Sequence, residues 1–146
     1  PYFAITLSAQ QNISDATETV AQFDTIDLNS RGGSTGWDST NYRYTPGTAG
    51  KYLVNSFLWC RTGGNDLDAA YIKIRVNGTA QDRTNFDGGS NNKIDNVTIY
   101  QSVIVDLTSD TDYIDVVGYI DTASATPHFF VSSGQGNRLT ISRIGS

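Results

Sequence analysis

The chain has 146 residues, enough for one domain with a real core, and carries −5 from 10 Lys and Arg against 15 Asp and Glu. That balance repels phosphate backbones and anionic bilayers, which argues against nucleic acid and membrane surfaces as partners. No apolar run approaches the roughly 18 residues of a membrane span, and no basic, apolar leader is present.

Residues 2–7 predict a first strand, with Phe3, Ile5 and Leu7 on one face. Residues 19–23 predict a second, followed by a Gly/Ser/Thr-rich loop over 24–38. A short aromatic strand at 42–45 runs into a Pro46/Gly47 turn. Residues 51–61 form the most apolar strand. Leu53, Phe57 and Trp59 stand on one side, and Tyr52, Val54, Leu58 and Cys60 on the other. A half-buried strand alternates apolar and polar residues, so both faces of this one need cover. After a loop at 62–68, Ala70, Ile72, Ile74 and Val76 point inward, with Tyr71, Lys73 and Arg75 outward. Asn77-Gly78 is a two-residue hairpin signal, and a weak strand near 79–83 pairs back. A polar loop at 85–96 precedes a long apolar strand at 97–107. There Ile99, Val103, Val105 and Leu107 face Tyr100 and Ile104 across the ribbon. Residues 108–111 turn. In 113–121, Ile114, Val116 and Ile120 face in, and Tyr113, Val117 and Tyr119 face out. Residues 128–132 and 138–144 are expected to pair around Gly134-Gln135-Gly136.

The acids are fourteen Asp and the single Glu18, Met is absent, and no segment has helical period. Asp favours turns, while Ile, Val, Thr and Tyr favour strands. The expected fold is all-β, a single-domain antiparallel β-sandwich or jelly roll of about 8–10 strands. The chain begins at Pro1 rather than Met, as a processed product or a piece of a longer protein would.

The motif Tyr44-Thr-Pro46, then Ala49-Gly50, Tyr52 and Leu53, resembles the C1q-like globular head of the tumour necrosis factor-like jelly-roll superfamily. So does the apolar strand ending in Asn77-Gly78, and the alternating strand after the 108–111 turn. The opening, Phe3-Ala-Ile-Thr-Leu-Ser8 then Val20-Ala-Gln-Phe-Asp-Thr25, resembles the version found in tailed-phage structural proteins. The usual closing Phe-x-Gly-x-Leu is replaced by Arg138-Leu-Thr-Ile-Ser-Arg-Ile144, and no collagen-like Gly-X-Y stalk is present, which argues against a complement-type role. The resemblance implies a homotrimer around a three-fold axis, with the second apolar face packed on a neighbour. Tyr100, Val117 and Tyr119 are the candidates for that interface.

Catalytic signals are weak. His128 is the sole histidine and Cys60 the sole cysteine, so neither a His-based triad nor a zinc site is indicated, and Cys60 reads as a buried free thiol. Three copies of His128 at a three-fold axis are a remote alternative. The Gly pairs at 32–33, 63–64 and 88–89 lie between strands, without the helix a phosphate loop needs. Two loops are rich in the oxygen ligands that suit calcium. One holds Asn65, Asp66 and Asp68, and the other Asp87, Asn91, Asn92 and Asp95. Neither has EF-hand spacing, and turn chemistry accounts for both. Trp37, Tyr42, Arg83 and Phe86 mix aromatic and polar groups, as a glycan-binding surface does.

Two functional readings follow. One is a non-enzymatic structural or adhesion module on a tailed-phage virion surface, the trimeric head of a fibre or a capsid decoration. Its partners are itself, other virion proteins and host-surface glycans, with no cofactor. The other is a lectin-like carbohydrate-binding protein, with calcium as the possible assisting ion.

Overall fold

The computed structural model describes residues 1–89, 94–123 and 125–146. The strand-forming composition yields thirteen strands and no helix among those residues. They are β1 (Tyr2–Thr6), β2 (Gln11–Asn12), β3 (Thr19–Val20), β4 (Thr25–Asn29), β5 (Trp37–Asp38), β6 (Arg43–Tyr44), β7 (Gly50–Arg61), β8 (Leu67–Val76), β9 (Thr79–Asp87), β10 (Asn96–Leu107), β11 (Ile114–Thr122), β12 (His128–Phe129) and β13 (Arg138–Gly145). The excess over the expected number comes from the two-residue pieces β2, β3, β5, β6 and β12.

The strands make two antiparallel sheets. In sheet A, β10 pairs with one edge of β7, and β13, β1 and β4 continue from the other edge, with β12 and β2 at the far end of β7. In sheet B, β9, β8 and β11 lie side by side, and β3, β6 and β5 complete the far edge. The inward alternation expected for β8 and β11 is present: Ile72, Ile74, Ile114, Val116 and Ile120 are buried against Phe3, Ile5, Tyr52, Val54 and Leu58 of sheet A.

β7 is the central strand. It pairs with β10 along its whole length, from Gly50↔Leu107 to Arg61↔Asn96. Its other edge is shared: β13 covers residues 51–57, and β12 covers Cys60 and Arg61. Segments 128–132 and 138–144 therefore do not pair with each other, as the sequence had suggested, but lie end to end along β7. The buried Asn137 spans the gap between them. Its Oδ1 accepts from the Trp59 backbone N–H at 2.8 Å, and its Nδ2 donates to the Phe130 carbonyl at 2.8 Å.

Three other expectations change. Within the 24–38 loop, Thr25–Asn29 forms β4 against β1, with a register shift between Ala4 and Ile5. The expected strand at 19–23 is cut to β3, because the buried Gln11 amide accepts from Gln22 N–H (2.8 Å) and donates to the Val20 carbonyl (2.9 Å) in place of a strand neighbour. β9 runs on to Asp87, so Phe86 belongs to a strand and not to a loop.

The β8–β9 hairpin turns at Asn77 and Gly78, with φ +50° and +79°, the left-handed geometry this dipeptide favours. The Asn77 side chain ties the hairpin to the next turn, accepting from Tyr113 N–H at 3.0 Å and donating to Asp112 at 2.8 Å.

Sheet-to-sheet packing is tightest at Gly118 on β11. A methyl group there would collide with the Phe129 ring and a Leu58 methyl in the core. Gly118→Ala is expected to destabilise the fold by about 1–3 kcal/mol, read as a lower urea midpoint at constant slope. An unchanged midpoint would show that the core yields at this position.

Candidate functional site

Each sheet has an outer face, and the two differ in chemistry. On sheet A, outward residues come from alternate positions of β10, β7 and β13. Tyr100 (65% exposed) aligns with Phe57 and Arg138, and Ile104 (60% exposed) aligns with Leu53 and Ser142. The Tyr100 and Phe57 rings lie 5.2 Å apart at 36°. Between these rows Ser102 bonds Asn55 at 2.7 Å, and a hollow of about 300 Å³ opens among Asn55, Phe57, Tyr100, Arg138 and Thr140. Tyr2 is also half exposed and stands across from Ser142 on the same face. The face sets exposed Tyr100 and Ile104 among polar Asn55, Ser102, Arg138 and Thr140, is open to solvent and is built on the longest strand pair.

On sheet B the outer face is laced with charge. Arg75 forms a two-pronged pair with Asp115, at 2.8 Å from Nε and 2.6 Å from Nη2, and Asp115 is buried. Glu18, just ahead of β3, accepts from Lys73 Nζ (2.7 Å) and the Tyr71 hydroxyl (2.8 Å) on β8. β3 and β8 flank β11, so these bonds pass over β11 at Val117, which is in register with both Val20 and Lys73. Burial by itself would raise the Glu18 carboxyl. The Lys73 and Tyr71 hydrogen bonds and the Lys73 and Arg75 charges outweigh it and hold the carboxyl below its ordinary value. Burial, followed by the hydrogen bond to Glu18, pushes the Tyr71 hydroxyl up to about 12.

The three candidate interface residues do not share a face. Tyr100 stands on sheet A. Val117 lies on sheet B and is 1% exposed beneath the Glu18 crossing, so it is closed to a neighbouring molecule. Tyr119 also lies on sheet B, stacked on Tyr71 with ring centroids 4.5 Å apart and planes at 3°. Leu53, Phe57 and Ile104 are the residues that join Tyr100 instead. The signal for them was the two-sided apolar pattern of β7, together with Ile104 on the Tyr100 side of β10.

The four glycan candidates also separate. Trp37 and Tyr42 sit at the β5–β6 edge of sheet B, Arg83 and Phe86 on β9 at the opposite edge. Trp37 is occupied in a ring stack with Phe3 (5.7 Å), which itself stacks on Tyr44 at 4.0 Å. Tyr42 is half-buried at φ +55° in a turn clamped by Asp38, which accepts from the backbone N–H groups of Thr40 and Asn41, both at 3.0 Å. Arg83 lies 4.9 Å over the Tyr71 ring, and Phe86 is partly buried against the core.

In the first calcium loop Asn65 takes a left-handed turn, and Asp66 and Asp68 flank the buried Leu67. In the second, Asp95 is committed to Arg61 (2.8 Å) and the Gly63 N–H (2.6 Å), and Asp87 accepts from Gly89 N–H at 3.0 Å. Asn91 and Asn92 lie outside the described residues. Among the described residues no group of three or more His, Cys, Asp or Glu is placed to hold a metal ion. His128 is buried, with Nδ1 2.9 Å from the Thr126 carbonyl. Cys60, in register with Phe129, points to the opposite face from His128, and burial pushes its thiol up to about 12. The two do not form a nucleophile–base pair.

No protein-family model and no curated protein matches this sequence. Solved structures do match. Murine APRIL at pH 5.0 is 16% identical at TM-score 0.66, with 98% of each chain covered. The Eiger TNF of S. frugiperda is 12% identical at TM-score 0.68, covering 99% of this chain and 91% of that one. The globular domain of the zebrafish complement 1qA protein is 8% identical at TM-score 0.66, covering 99% and 97%. The fold is the jelly roll of the tumour necrosis factor and C1q domains. At these identities the likeness is one of architecture, and it extends over nearly the whole chain.

The Glu18 crossing carries a pH signature. Its folded-state carboxyl lies below its ordinary value of 4.5, so its contribution to stability is complete above that value and fades as pH falls through the folded one. The stability gap between wild type and Glu18→Gln is expected to be larger at neutral pH than in acid, measured by urea midpoints across the range. A gap that stays constant into acid would remove the crossing as an electrostatic clamp.

Proposed function

We propose that this chain is a non-catalytic module that self-associates into a homotrimer through the outer face of sheet A. The carrying observation is the pair of exposed side chains Tyr100 and Ile104 on β10, backed by Phe57 and Leu53 on β7. Covering side chains of this size stabilises an interface by about 1.5–3 kcal/mol each when burial is complete. The outer face of sheet B is instead laced with the ion pairs Arg75–Asp115 and Lys73–Glu18. The likeness in fold to tumour necrosis factor and C1q domains supports a three-fold arrangement, and a closed ring satisfies the face without leaving an open end.

The setting proposed for this trimer is the surface of a tailed-phage particle, as a fibre head or a capsid decoration contacting other virion proteins. The opening segments Phe3 to Ser8 and Val20 to Thr25 support that setting through their resemblance to phage structural proteins. A second reading, recognition of host-surface glycans, is favoured by Arg83 lying over the Tyr71 ring beside Tyr119.

Light scattering is expected to give about three times 15.8 kDa. Tyr100→Asp places a charge without a partner in the interface and should yield a folded monomer, whereas Tyr119→Asp, on the other sheet, should leave the mass unchanged. A stable wild-type monomer, or a Tyr100→Asp variant that assembles normally, would remove the sheet A interface. Peptides of this chain should also be found in purified phage particles, and their absence would sink the virion assignment.

A further inference from the structure

We propose that the outer face of sheet B binds a neutral sugar unit in the hollow beside Ala69, against the Tyr71–Tyr119 pair. This rests on the glycan reading, not on the trimer, and gives that reading a place and a ligand class.

The hollow follows from side-chain size and register. Tyr71 and Ala69 share the outer face of β8. Tyr119 on β11 and Asn85 on β9 both stand across from Tyr71, and Asp87 stands across from Ala69. The methyl of Ala69 leaves the space next to the two rings unfilled. An open depression of about 440 Å³ results, within the span of small-ligand sites.

Its chemistry is that of a saccharide site. A pyranose presents C–H groups that pack on aromatic rings, and hydroxyls that both donate and accept. The aromatic wall is held in advance: the rings are parallel at 4.5 Å, the Tyr71 hydroxyl is fixed by Glu18, and Arg83 and Lys73 flank the Tyr71 ring at 4.9 and 5.0 Å. Little side-chain freedom remains to be lost on binding. The rim supplies complementary partners. Asn85 exposes a donor and an acceptor, Arg83 exposes donors, and neither side chain has a hydrogen bond or ion pair among the described residues. Asp87 Oδ1 accepts from the Gly89 N–H, which leaves its second oxygen as an acceptor for the ligand.

Charge selects a neutral ligand. Lys73 is neutralised by Glu18, which leaves Arg83 as the cation of the rim. Against it stand Asp87 and, in register with Ala69 on the other side, Asp121. The Asp121 carboxyl is raised by its burial and by the negative charges of Asp15 and Asp68; that gathering of carboxylates, not the shift, makes this end of the face anionic and repels acidic sugars.

The test uses the full chain and heteronuclear NMR. The probes are the methyl glycosides of glucose, galactose and mannose, with N-acetylneuraminic acid as an anionic comparator. At least one neutral glycoside should shift the amides of Tyr71, Asn85 and Tyr119, and the acidic sugar should not. Asn85→Ala and Tyr119→Ala should each weaken that binding about tenfold, or about 1.4 kcal/mol, with the solution mass unchanged. Binding that maps to other residues, or that both variants retain, would overturn this site while leaving the glycan reading standing. No response to any of the sugars would overturn both. Preference for the acidic sugar would overturn the neutral ligand class.

Discussion

Everything in this fold hangs on β7. Its inward side chains, Tyr52, Val54, Leu58 and Cys60, are fully buried and form one wall of the sandwich. Its two edges carry β10 on one side and β13 with β12 on the other, so it receives backbone hydrogen bonds from three strands. Its outward apolar residues, Leu53, Phe57 and Trp59, form a row that the domain covers only in part. A strand pinned on both edges cannot turn to hide that row, because a one-residue slip would exchange every inward side chain for an outward one. The apolar face of sheet A is therefore a consequence of how the core is built.

The two outer faces resolve the same problem in opposite ways. A sheet packed on one side must meet either water or more protein on the other. Sheet B meets water with ion pairs, Arg75–Asp115 and Lys73–Glu18, in which the chain of Glu18 folds back over β11. Sheet A has fewer polar contacts outside: Ser102 bonds Asn55 between exposed Tyr100 and Ile104, Lys51 pairs with Asp106 at 3.2 Å beyond Ile104, and Arg138 pairs with Asp27 at 2.8 Å. Exposed ion pairs like Lys51–Asp106 add little, so they do not substitute for burial of the rings beside them.

The sequence was most legible where pattern is local. The alternation in β8, the inward residues of β11, the Asn77-Gly78 hairpin and the two-sided character of residues 51–61 each lie within a few consecutive residues, and each is present in the structure. It was least legible where a side chain from far away decides the outcome. Val117 alternates as an outward residue, and it is buried because Glu18, some hundred positions earlier, reaches Lys73 across it. Segments 128–132 and 138–144 read as a hairpin, and they are parted because Asn137 satisfies the Trp59 N–H that a strand neighbour would have taken. β4 was hidden for another reason: Thr25-Ile-Asp-Leu-Asn29 alternates, but the Ser, Gly and Thr residues that follow it gave the whole stretch a loop composition. Grouping Trp37 and Tyr42 with Arg83 and Phe86 relied on residue type alone. Strand order places the pairs at opposite edges of one sheet, a fact of topology that no local motif encodes.

That division of labour between the sheets has a geometric consequence. The two sheets lie back to back, so the outer faces of sheet A and sheet B look in opposite directions. An assembly through the face of sheet A would leave the Tyr71–Tyr119 pair and the hollow over Ala69 on the opposite side of each copy. Repetition of one weak site around a closed ring raises its effective affinity for a surface that displays many ligands, without any new contact within the site. In the assembly proposed above, the apolar face and the polar hollow would serve a single arrangement. In the proposed trimer, covering Tyr100 and Ile104 would fix the spacing between copies, and that spacing would determine which multivalent surfaces the copies engage together.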